Sequence, residues 1–423
     1  MSKHVKGLRA LAKDKGFKLD ELGLWKGTKL MAAKSEEDIY DTLEAMAHAT
    51  RDRSKRLSPP PSDQETPMTG KALVIGATGI IGSALADELI RSSWKVLGLA
   101  RNPSPVPSSV VPVTADLLDP ASLTASLKDH APTHVFLATW MRNETEAENI
   151  RVNGAMVRNV LAALSPKRTV RHVALVTGLK HYLGPFEAYA KGELPETPLR
   201  EEQPRLPIEN FYYAQEDEVY GAAKRDGFSW SVHRPHTVIG KAVGNAMNLG
   251  TTLAVYAAIC QETGRPFRWP GSEAQWSGLS DMTDARVLAK HLLWAATTEE
   301  ARNTAFNVVN GDVFRWKWLW PRLARWFGVE AVGWEGTIHP LDEEMRGDDA
   351  LWREIAARHG LEETDLRRLA SPWHTDLDLG RPIEVMTDMR NSRERGFGVF
   401  QATEQSFLDL FTQLRADRLI PSG

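Results

Sequence analysis

The chain has 423 residues, 25% of them charged and 42% hydrophobic, with a formal net charge of -3, which is typical of a globular protein with a large core. No long block of one charge sign and no apolar run of roughly 20 residues occurs, which excludes the usual signatures of nucleic-acid binding and of a membrane span. The single cysteine, Cys260, excludes an internal disulfide, so we expect a cytoplasmic protein whose partner is neither nucleic acid nor a membrane.

Residues 1–68 differ in composition from the rest of the chain. Lys, Asp and Glu are frequent, and the pattern predicts helical stretches near Val5–Lys15 and Glu36–Arg53. A Pro-rich segment, Arg56–Pro67, then predicts an exposed linker. We interpret residues 1–68 as a helical extension without a chemical motif. Met68 is a second candidate for the start of the protein, because the first strand of the next domain follows three residues later.

From Lys71 onward, short apolar strands alternate with amphipathic helices, the first two strands being KALVIG and KVLGLA. Such alternation predicts right-handed crossovers and a parallel sheet covered on both faces. We therefore predict a doubly wound, Rossmann-type α/β domain over 69–240, with a return to it around 280–310. After residue 240 the alternation ends, and 241–423 is predicted to form a smaller, mostly helical substrate-binding lobe.

The segment GATGIIG, residues 76–82, follows the first strand and opens the first helix. Gly76 permits a tight turn, Gly79 lets the backbone approach a pyrophosphate, and Gly82 lets helix and strand pack closely. The start of the helix then offers free N–H groups to phosphates. The motif predicts a dinucleotide site, with these contacts: Gly76, Thr78, Gly79, Ile80, Ile81 and Gly82.

The end of the second strand selects the cofactor. An enzyme that uses NAD usually has an Asp or Glu there to hold the ribose 2′-hydroxyl, whereas this strand ends in Ala100, Arg101 and Asn102. A guanidinium can pair with a 2′-phosphate, so NADPH is the predicted cofactor, with Arg101 and Asn102 as contacts. Asp116 and Leu117, after the next strand, are predicted at the adenine edge.

Two tyrosines compete for the catalytic position. Tyr220 stands four residues before Lys224, the Tyr-x-x-x-Lys spacing of ordinary short-chain dehydrogenases. In extended members of that superfamily, however, the catalytic tyrosine usually precedes an Arg-Pro element by somewhat over twenty residues. Tyr212 lies 22 residues before Arg234, and Tyr220 only 14. This register favours Tyr212, and Lys180 stands near the place where the ordinary enzymes have a serine.

The segments TGLKHYLGPFEAY and LPIENFYYAQED resemble the progesterone 5β-reductase/iridoid synthase-like family, atypical extended short-chain dehydrogenases that reduce activated C=C bonds with NADPH. The resemblance continues through HRPHTVIG, LAVYAAIC, AFNVVNGDVFRWKWLW and ERGFGVF, so it covers nearly everything after residue 68. It implies that Lys180 and Tyr212 are the reactive pair. It also implies cofactor contacts at Thr139, Trp140, Val238, Asn245, Ala246 and Met247, and substrate contacts at Phe186, Tyr189 and Tyr212.

The resemblance implies hydride transfer to the β-carbon of an α,β-unsaturated carbonyl compound, such as a steroid or a small enone or enal. Negative charge then grows on the carbonyl oxygen, and a phenol O–H from Tyr212, with the Lys180 ammonium close by, can stabilise it. The chain departs from plant members at Asn102, where a second basic residue is common. The physiological substrate, the stereochemistry and the choice between monomer and homodimer are not fixed by the sequence.

Two alternatives remain open at the level of the sequence. One is an alcohol or hydroxysteroid dehydrogenase that uses Tyr220 and Lys224, and the other is a non-catalytic NADP-binding sensor on the same fold. The twelve histidines include neither an HExxH motif nor a Cys/His cluster with metal spacing, so no metal site is predicted. The GxSxG motif of α/β-hydrolases is absent as well.

Overall fold

A computed structural model describes residues 70–102, 107–185, 195–245 and 247–423, together with the backbone of three short segments between residues 18 and 32. The chain divides into two compact units, Met1–Pro67 and Met68–Gly423. In the described ranges, no helix is both long enough and apolar enough to cross a membrane.

The N-terminal unit contains a small antiparallel sheet. Its strands are β1 (Lys18–Asp20), β2 (Gly23–Lys26) and β3 (Lys29–Ala32), paired in the order β1-β2-β3. The sequence did not predict these strands, because each is only three or four residues long and none shows a clean alternation of apolar and polar residues. The predicted helical stretches Val5–Lys15 and Glu36–Arg53 and the Pro-rich linker lie outside the described residues.

The larger unit is built on a seven-stranded sheet in the order β13-β9-β8-β7-β4-β5-β6, with every pair parallel. This confirms the predicted Rossmann-type fold. The strands are β4 (Lys71–Ile75), β5 (Lys95–Ala100), β6 (Val110–Thr114), β7 (His134–Leu137), β8 (His172–Val176), β9 (Ser229–Pro235) and β13 (Thr304–Val308).

Helices cover both faces of this sheet. In β4, Ala72 and Val74 belong to the core on one face, while Leu73 and Ile75 belong to the core on the other. Successive strand residues point to opposite faces, so a strand that is apolar throughout requires cover on both sides. The covering helices are α1 (Ile80–Arg91), α2 (Pro120–Leu127), α3 (Glu146–Leu164), α5 (Phe211–Asp226) and α8 (Ala285–Thr297). The one-turn helix α4 (Lys180–Leu183) follows β8 and packs in a smaller apolar cluster with Leu199 and Val385.

The remaining elements, apart from the short helix Arg390–Glu394 that packs against β13, surround a third, aromatic core. Trp316 and Trp320 are fully buried, and Trp320 stacks on Phe267 at 3.9 Å between ring centroids. The predicted division at residue 240 stays a prediction. The elements are β10 (Val238–Ile239), α6 (Leu249–Thr263), β11 (Phe267–Arg268), α7 (Glu273–Ser277), β12 (Thr283–Asp284), α9 (Trp316–Phe327), β14 (Ala331–Val332), α10 (Leu341–Glu344), α11 (Asp348–His359), α12 (Leu366–Leu369), α13 (Pro372–Leu379), α14 (Arg390–Glu394) and α15 (Thr403–Ala416).

Candidate active site

The glycine-rich turn links β4 to α1 at the carboxyl edge of the sheet. Gly76 has φ +84°, which favours glycine, and a Cβ there would lie 2.9 Å from the Thr139 side chain. A Cβ on Gly82 would lie 2.1 Å from the Gly76 carbonyl oxygen. The helix α1 can therefore pack this close to the turn only because residue 82 has no side chain. The turn therefore leaves room for a ligand at the start of α1, where backbone N–H groups are unpaired.

A cavity of about 590 Å³ opens beside this turn, between the ends of β4, β5 and β6. It is lined by Arg101, Asn102, Asp116 and Leu117, for which contacts to the adenosine half of a dinucleotide stay a prediction. Sequence reasoning missed Met156, which comes from the buried face of α3 and also lines the cavity. Its apolar side chain suits contact with a flat base.

A second cavity, of about 450 Å³, begins at the same turn and contains both candidate catalytic residues, Lys180 and Tyr212. Its volume and that of the first cavity are in the range of small-molecule sites. Gly82 packs behind the turn instead of lining either cavity, and Ala246 lies outside the described residues. The predicted cofactor contacts that line the second cavity are Gly76, Thr78, Gly79, Ile80, Ile81, Arg101, Thr139, Trp140, Val238, Asn245 and Met247.

Tyr212 and Lys180 are both buried, with 6% and 7% of their surface exposed. The Tyr212 hydroxyl lies against Gly178, where an added Cβ would be 3.2 Å from the hydroxyl oxygen. The Lys180 ammonium lies 4.8 Å from the ring centre of Trp140 and 4.9 Å from that of Phe211. Aromatic faces stabilise a cation that has left bulk water, so this setting holds a positive charge at the cavity wall.

Hydrogen bonds hold the one-turn helix α4, which begins at Lys180. The Tyr213 hydroxyl donates to the His181 carbonyl at 2.6 Å and accepts from the Leu206 N–H at 3.0 Å. The N–H of Phe211 donates to a Glu146 carboxylate oxygen at 2.7 Å, which ties the start of α5 to the start of α3. Tyr213 is therefore a structural residue, while its neighbour Tyr212 lines the cavity.

Glu216 lies one helical turn after Tyr212 and is 1% exposed. Its carboxylate pairs with Arg205 at 2.8 Å and with Arg234 at 3.4 Å. A buried carboxylate is stable only when it is paired in this way. The position that an ordinary short-chain dehydrogenase gives to its lysine is thus occupied by a structural anion.

The Tyr220 and Lys224 pair lies away from the cavities. The Tyr220 ring packs on Trp230 at 4.4 Å between centroids, near the amino end of β9, whereas Pro235 at the carboxyl end of β9 lines the second cavity. Burial raises the pKa of the Tyr220 phenol, which keeps it protonated. Lys224 is exposed. Neither residue is among the described residues that line the two cavities.

The second cavity also has a polar wall that sequence reasoning missed. Arg381 donates to the Nε2 of His236 at 2.8 Å, and the Nδ1 of His236 pairs with Asp281 at 2.9 Å. Arg381 also pairs with Asp378, which accepts from the Thr237 hydroxyl at 2.9 Å. Because the carboxylate of Asp281 can only accept, we assign the Nδ1 proton to this bond, and Nε2 accepts the hydrogen bond from Arg381.

Asp378 is fully enclosed, and two opposing effects act on its carboxyl. Burial raises the pKa, but the charge of Arg381, together with the hydrogen bond from Thr237, contributes to a larger opposing effect, so the pKa lies below its usual range. The spacing of His374, Asp378 and Arg381 by four and three residues places all three on one face of α13 and its continuation. That spacing of charged residues was the available sequence signal.

The predicted substrate contacts Phe186 and Tyr189 lie outside the described residues. The part of the cavity wall that they would form stays a prediction.

In the described ranges, no group of three or more His, Cys, Asp or Glu side chains could hold a metal ion.

Comparison with known families gives two matches. Residues 115–421 match the model of a PRISE-like Rossmann-fold domain, and residues 2–49 match that of the DNA polymerase beta thumb. An (S)-8-oxocitronellyl enol synthase from Nepeta cataria is 41% identical over 362 residues, covering 83% of this chain and 93% of that protein. A 3-oxo-Δ(4,5)-steroid 5-β-reductase from Arabidopsis thaliana is 40% identical over 365 residues, with the same coverage of both chains.

Solved structures share the fold at low sequence identity. UDP-glucose 4-epimerase from Thermotoga maritima, solved with UDP-glucose, matches with a TM-score of 0.59 and 15% identity, covering 82% of this chain and 99% of that one. UDP-glucose 4-epimerase from Brucella ovis, solved in complex with NAD, gives a TM-score of 0.57 and 16% identity, covering 81% and 97%. At this identity the likeness establishes the Rossmann architecture alone.

Proposed function

Because the chain belongs to the PRISE-like Rossmann-fold family, we propose that it is an NADPH-dependent reductase that transfers hydride to the β-carbon of α,β-unsaturated carbonyl compounds. Two relatives that are 41% and 40% identical over the aligned residues are named as an (S)-8-oxocitronellyl enol synthase and a 3-oxo-Δ(4,5)-steroid 5-β-reductase. The observation that carries the proposal is that Lys180 and Tyr212 line one cavity together with the glycine-rich turn.

The residues of this cavity suit the charge changes of such a reaction. A nicotinamide dinucleotide, held by the residues of the glycine-rich turn, would supply the hydride. As hydride reaches the β-carbon, negative charge develops on the carbonyl oxygen of the substrate, and the Tyr212 hydroxyl donates a hydrogen bond to it. Preorganised donors of this kind contribute about 3 kcal/mol to the stability of a transition state. The Lys180 ammonium, held over Trp140 and Phe211, adds a positive charge at the same wall.

The choice of NADPH rests on the end of β5. Arg101 lines both cavities, and Asn102 lines the first. A guanidinium here suits the 2′-phosphate of NADPH, since it can donate two parallel hydrogen bonds to phosphate oxygens. Asp116 lines the same cavity one strand further along, where we assign it, with Leu117, to the adenine edge.

The remaining proposed contacts to cofactor and substrate are assigned as follows. Thr139 and Trp140 follow β7 and line the second cavity, where they would contact the nicotinamide half of the dinucleotide, and the backbone of Val238 would bind its carboxamide. We assign Asn245, Ala246 and Met247 to the cofactor as well. Phe186 and Tyr189 are the proposed apolar wall for the substrate.

The two alternatives are not favoured. A dehydrogenase that used Tyr220 and Lys224 would need them beside the glycine-rich turn, yet Tyr220 packs on Trp230 and Lys224 faces solvent. A sensor without catalysis would have no need for a phenol and an ammonium in the cavity that adjoins the cofactor turn, and the two named relatives are a synthase and a reductase.

The proposal is tested by oxidation of NADPH, followed by its absorbance, with 2-cyclohexenone, a 3-oxo-Δ4 steroid and 8-oxogeranial as substrates. We expect turnover with at least one of these enones, and much slower turnover when NADH replaces NADPH. Oxidation of alcohols without turnover of any enone would instead support the dehydrogenase alternative.

A further inference from the structure

The buried side chain of Asn210 joins the backbones of the two residues proposed to carry the reaction. Its Oδ1 accepts a hydrogen bond from the Tyr212 N–H at 3.0 Å, and its Nδ2 donates to the Lys180 carbonyl at 2.7 Å. We infer that Asn210 is a positioning residue that sets the separation between the Tyr212 phenol and the Lys180 ammonium. This inference rests on the proposed function and gives a role to a residue that is 2% exposed and does not line the cavity.

The role of a helix cap does not by itself account for this side chain. Asn210 is the N-cap of α5, but Ser, Thr or Asp would fill that role equally well, as Asp119 and Thr145 do at the starts of α2 and α3. The bond to Lys180 also requires a donor. An amide carries an acceptor and a donor in one rigid plane, a combination that an ionised Asp lacks.

Lys180 depends on its neighbours for a fixed position. The helix α4 that it begins has four residues, a single turn, and so short a helix has little stability of its own. Asn210 binds the first carbonyl of this turn and the Tyr213 hydroxyl binds the second, that of His181. Both donors belong to the start of α5, the same segment that carries Tyr212, so α4 and Tyr212 are held as one unit.

The side-chain positions of Lys180 and Tyr212 also depend on Asn210. Phe211 follows Asn210 directly, and the Lys180 ammonium lies over its ring. Releasing the Lys180 carbonyl would let α4 shift against Phe211 and Tyr212, which changes the distance between ammonium and phenol. A misplacement of about 1 Å in a reacting site can lower a rate roughly a hundredfold.

The first test replaces the donor and keeps the cap. Asn210→Asp retains the acceptor for the Tyr212 N–H but presents a carboxylate oxygen to the Lys180 carbonyl. With saturating NADPH and one enone, we expect single-turnover hydride transfer to slow by roughly ten- to a hundredfold, while the Kd for NADPH changes by less than about twofold. Asn210→Ser, which keeps a capping oxygen without a buried charge, should show the same pattern if the Asp variant folds poorly.

Asn310→Asp is the matched control. Asn310 is another buried amide that joins separate segments, accepting from the Asp284 N–H at 2.6 Å and donating to the Thr403 hydroxyl at 3.0 Å, and it lines neither cavity of the candidate site. We expect this variant to lose thermal stability and to keep the rate of hydride transfer. Equal slowing in the Asn310 and Asn210 variants would mean that Asn210 acts on the fold alone, which overturns the inference.

A double-mutant cycle separates the inference from the proposed function. If Asn210 acts through Lys180, Asn210→Asp should slow the Lys180→Ala enzyme far less than it slows the wild type, because the group being positioned is already gone. Slowing by the same factor in both backgrounds, or no slowing in either, would overturn the positioning role. If Lys180→Ala and Tyr212→Phe themselves leave hydride transfer unchanged, it is the proposed function that fails.

Discussion

Glu216 occupies the position where ordinary short-chain dehydrogenases carry a lysine, four residues after the tyrosine. Its carboxylate is buried and paired with Arg205 and Arg234, and removing one partner of a buried pair, such as Glu216 and Arg234, typically costs about 3–5 kcal/mol. The helix therefore cannot supply the ammonium from that position, and Lys180 from the one-turn helix α4 lines the cavity instead. A search for Tyr-x-x-x-Lys alone would select Tyr220, a tyrosine that packs on Trp230.

Also at the scale of single residues, we expect Arg101 to determine the preference for NADPH over NADH. Arg101→Ala removes the guanidinium assigned to the 2′-phosphate, so we expect the KM for NADPH to rise roughly ten- to a hundredfold, while the KM for NADH changes little. Steady-state kinetics with both cofactors measure this. Arg91→Ala, which removes an exposed arginine from the end of α1, is the control. An equal rise for NADH and NADPH would contradict the assignment.

At the scale of elements, a chain of buried histidines and serines crosses strands β8 and β9. His172 is hydrogen-bonded to Ser231, Ser231 to His233, His233 to His291 on α8, and His291 to Ser392, each at 2.8 to 2.9 Å. Burial lowers the pKa of His172 and of His291 to about 3 and also lowers the pKa of His233. All three are thus neutral in the folded protein near neutral pH.

These three buried, neutral histidines predict that the free energy of unfolding decreases in mild acid. In the unfolded state these histidines bind protons below their ordinary pKa of about 6.5, whereas the folded state excludes them. The contribution of these histidines to the free energy of unfolding should be fully present above pH 6.5. It should decrease as the pH falls toward 3, by up to about 1.4 kcal/mol per pH unit for each histidine. Urea unfolding at pH 7.5, 6.5 and 5.5 measures this, and a free energy of unfolding that stays constant or rises on acidification would contradict it.

A second prediction for the elements concerns the packing of the glycine-rich turn against α1. A Cβ at position 82 would overlap the Gly76 carbonyl oxygen, so Gly82→Ala must displace the turn or the start of α1. We expect NADPH binding to weaken at least tenfold, as measured by cofactor fluorescence. Gly221→Ala on α5, where an added Cβ meets nothing within 4 Å, should bind NADPH normally. Unchanged binding in the Gly82 variant would show that the turn is not tightly packed.

At the scale of the whole molecule, the sequence predicts the regular part of the protein best. The Rossmann fold was predictable because apolar strands and amphipathic helices alternate from Lys71, and each period reports which faces are buried. The strands of Lys18–Ala32 were not predictable, since they are too short to show a period. The polar wall of His374, Asp378 and Arg381 was also missed, because it reaches the cavity from a helix far along the chain and no local pattern shows which elements meet in space.

The division into two units leads to a prediction about the shorter one. The PRISE-like family model matches residues 115–421, a separate model matches residues 2–49, and every described residue that lines the two cavities of the candidate site lies in Met68–Gly423. We expect a chain that begins at Met68 to bind NADPH and reduce enones with a kcat/KM within about threefold of the full chain. A truncated chain that folds, as judged by circular dichroism, yet fails to turn over enones would contradict this.

The most direct test of the Lys180 and Tyr212 assignment compares two single-atom changes on one helix, Tyr212→Phe and Tyr220→Phe. Both variants should bind NADPH normally, and single-turnover hydride transfer to an enone should slow by roughly a hundredfold or more, equivalent to about 3 kcal/mol, in the Tyr212 variant only. If the Tyr220 variant loses the activity and the Tyr212 variant keeps it, the assignment of the active site is wrong.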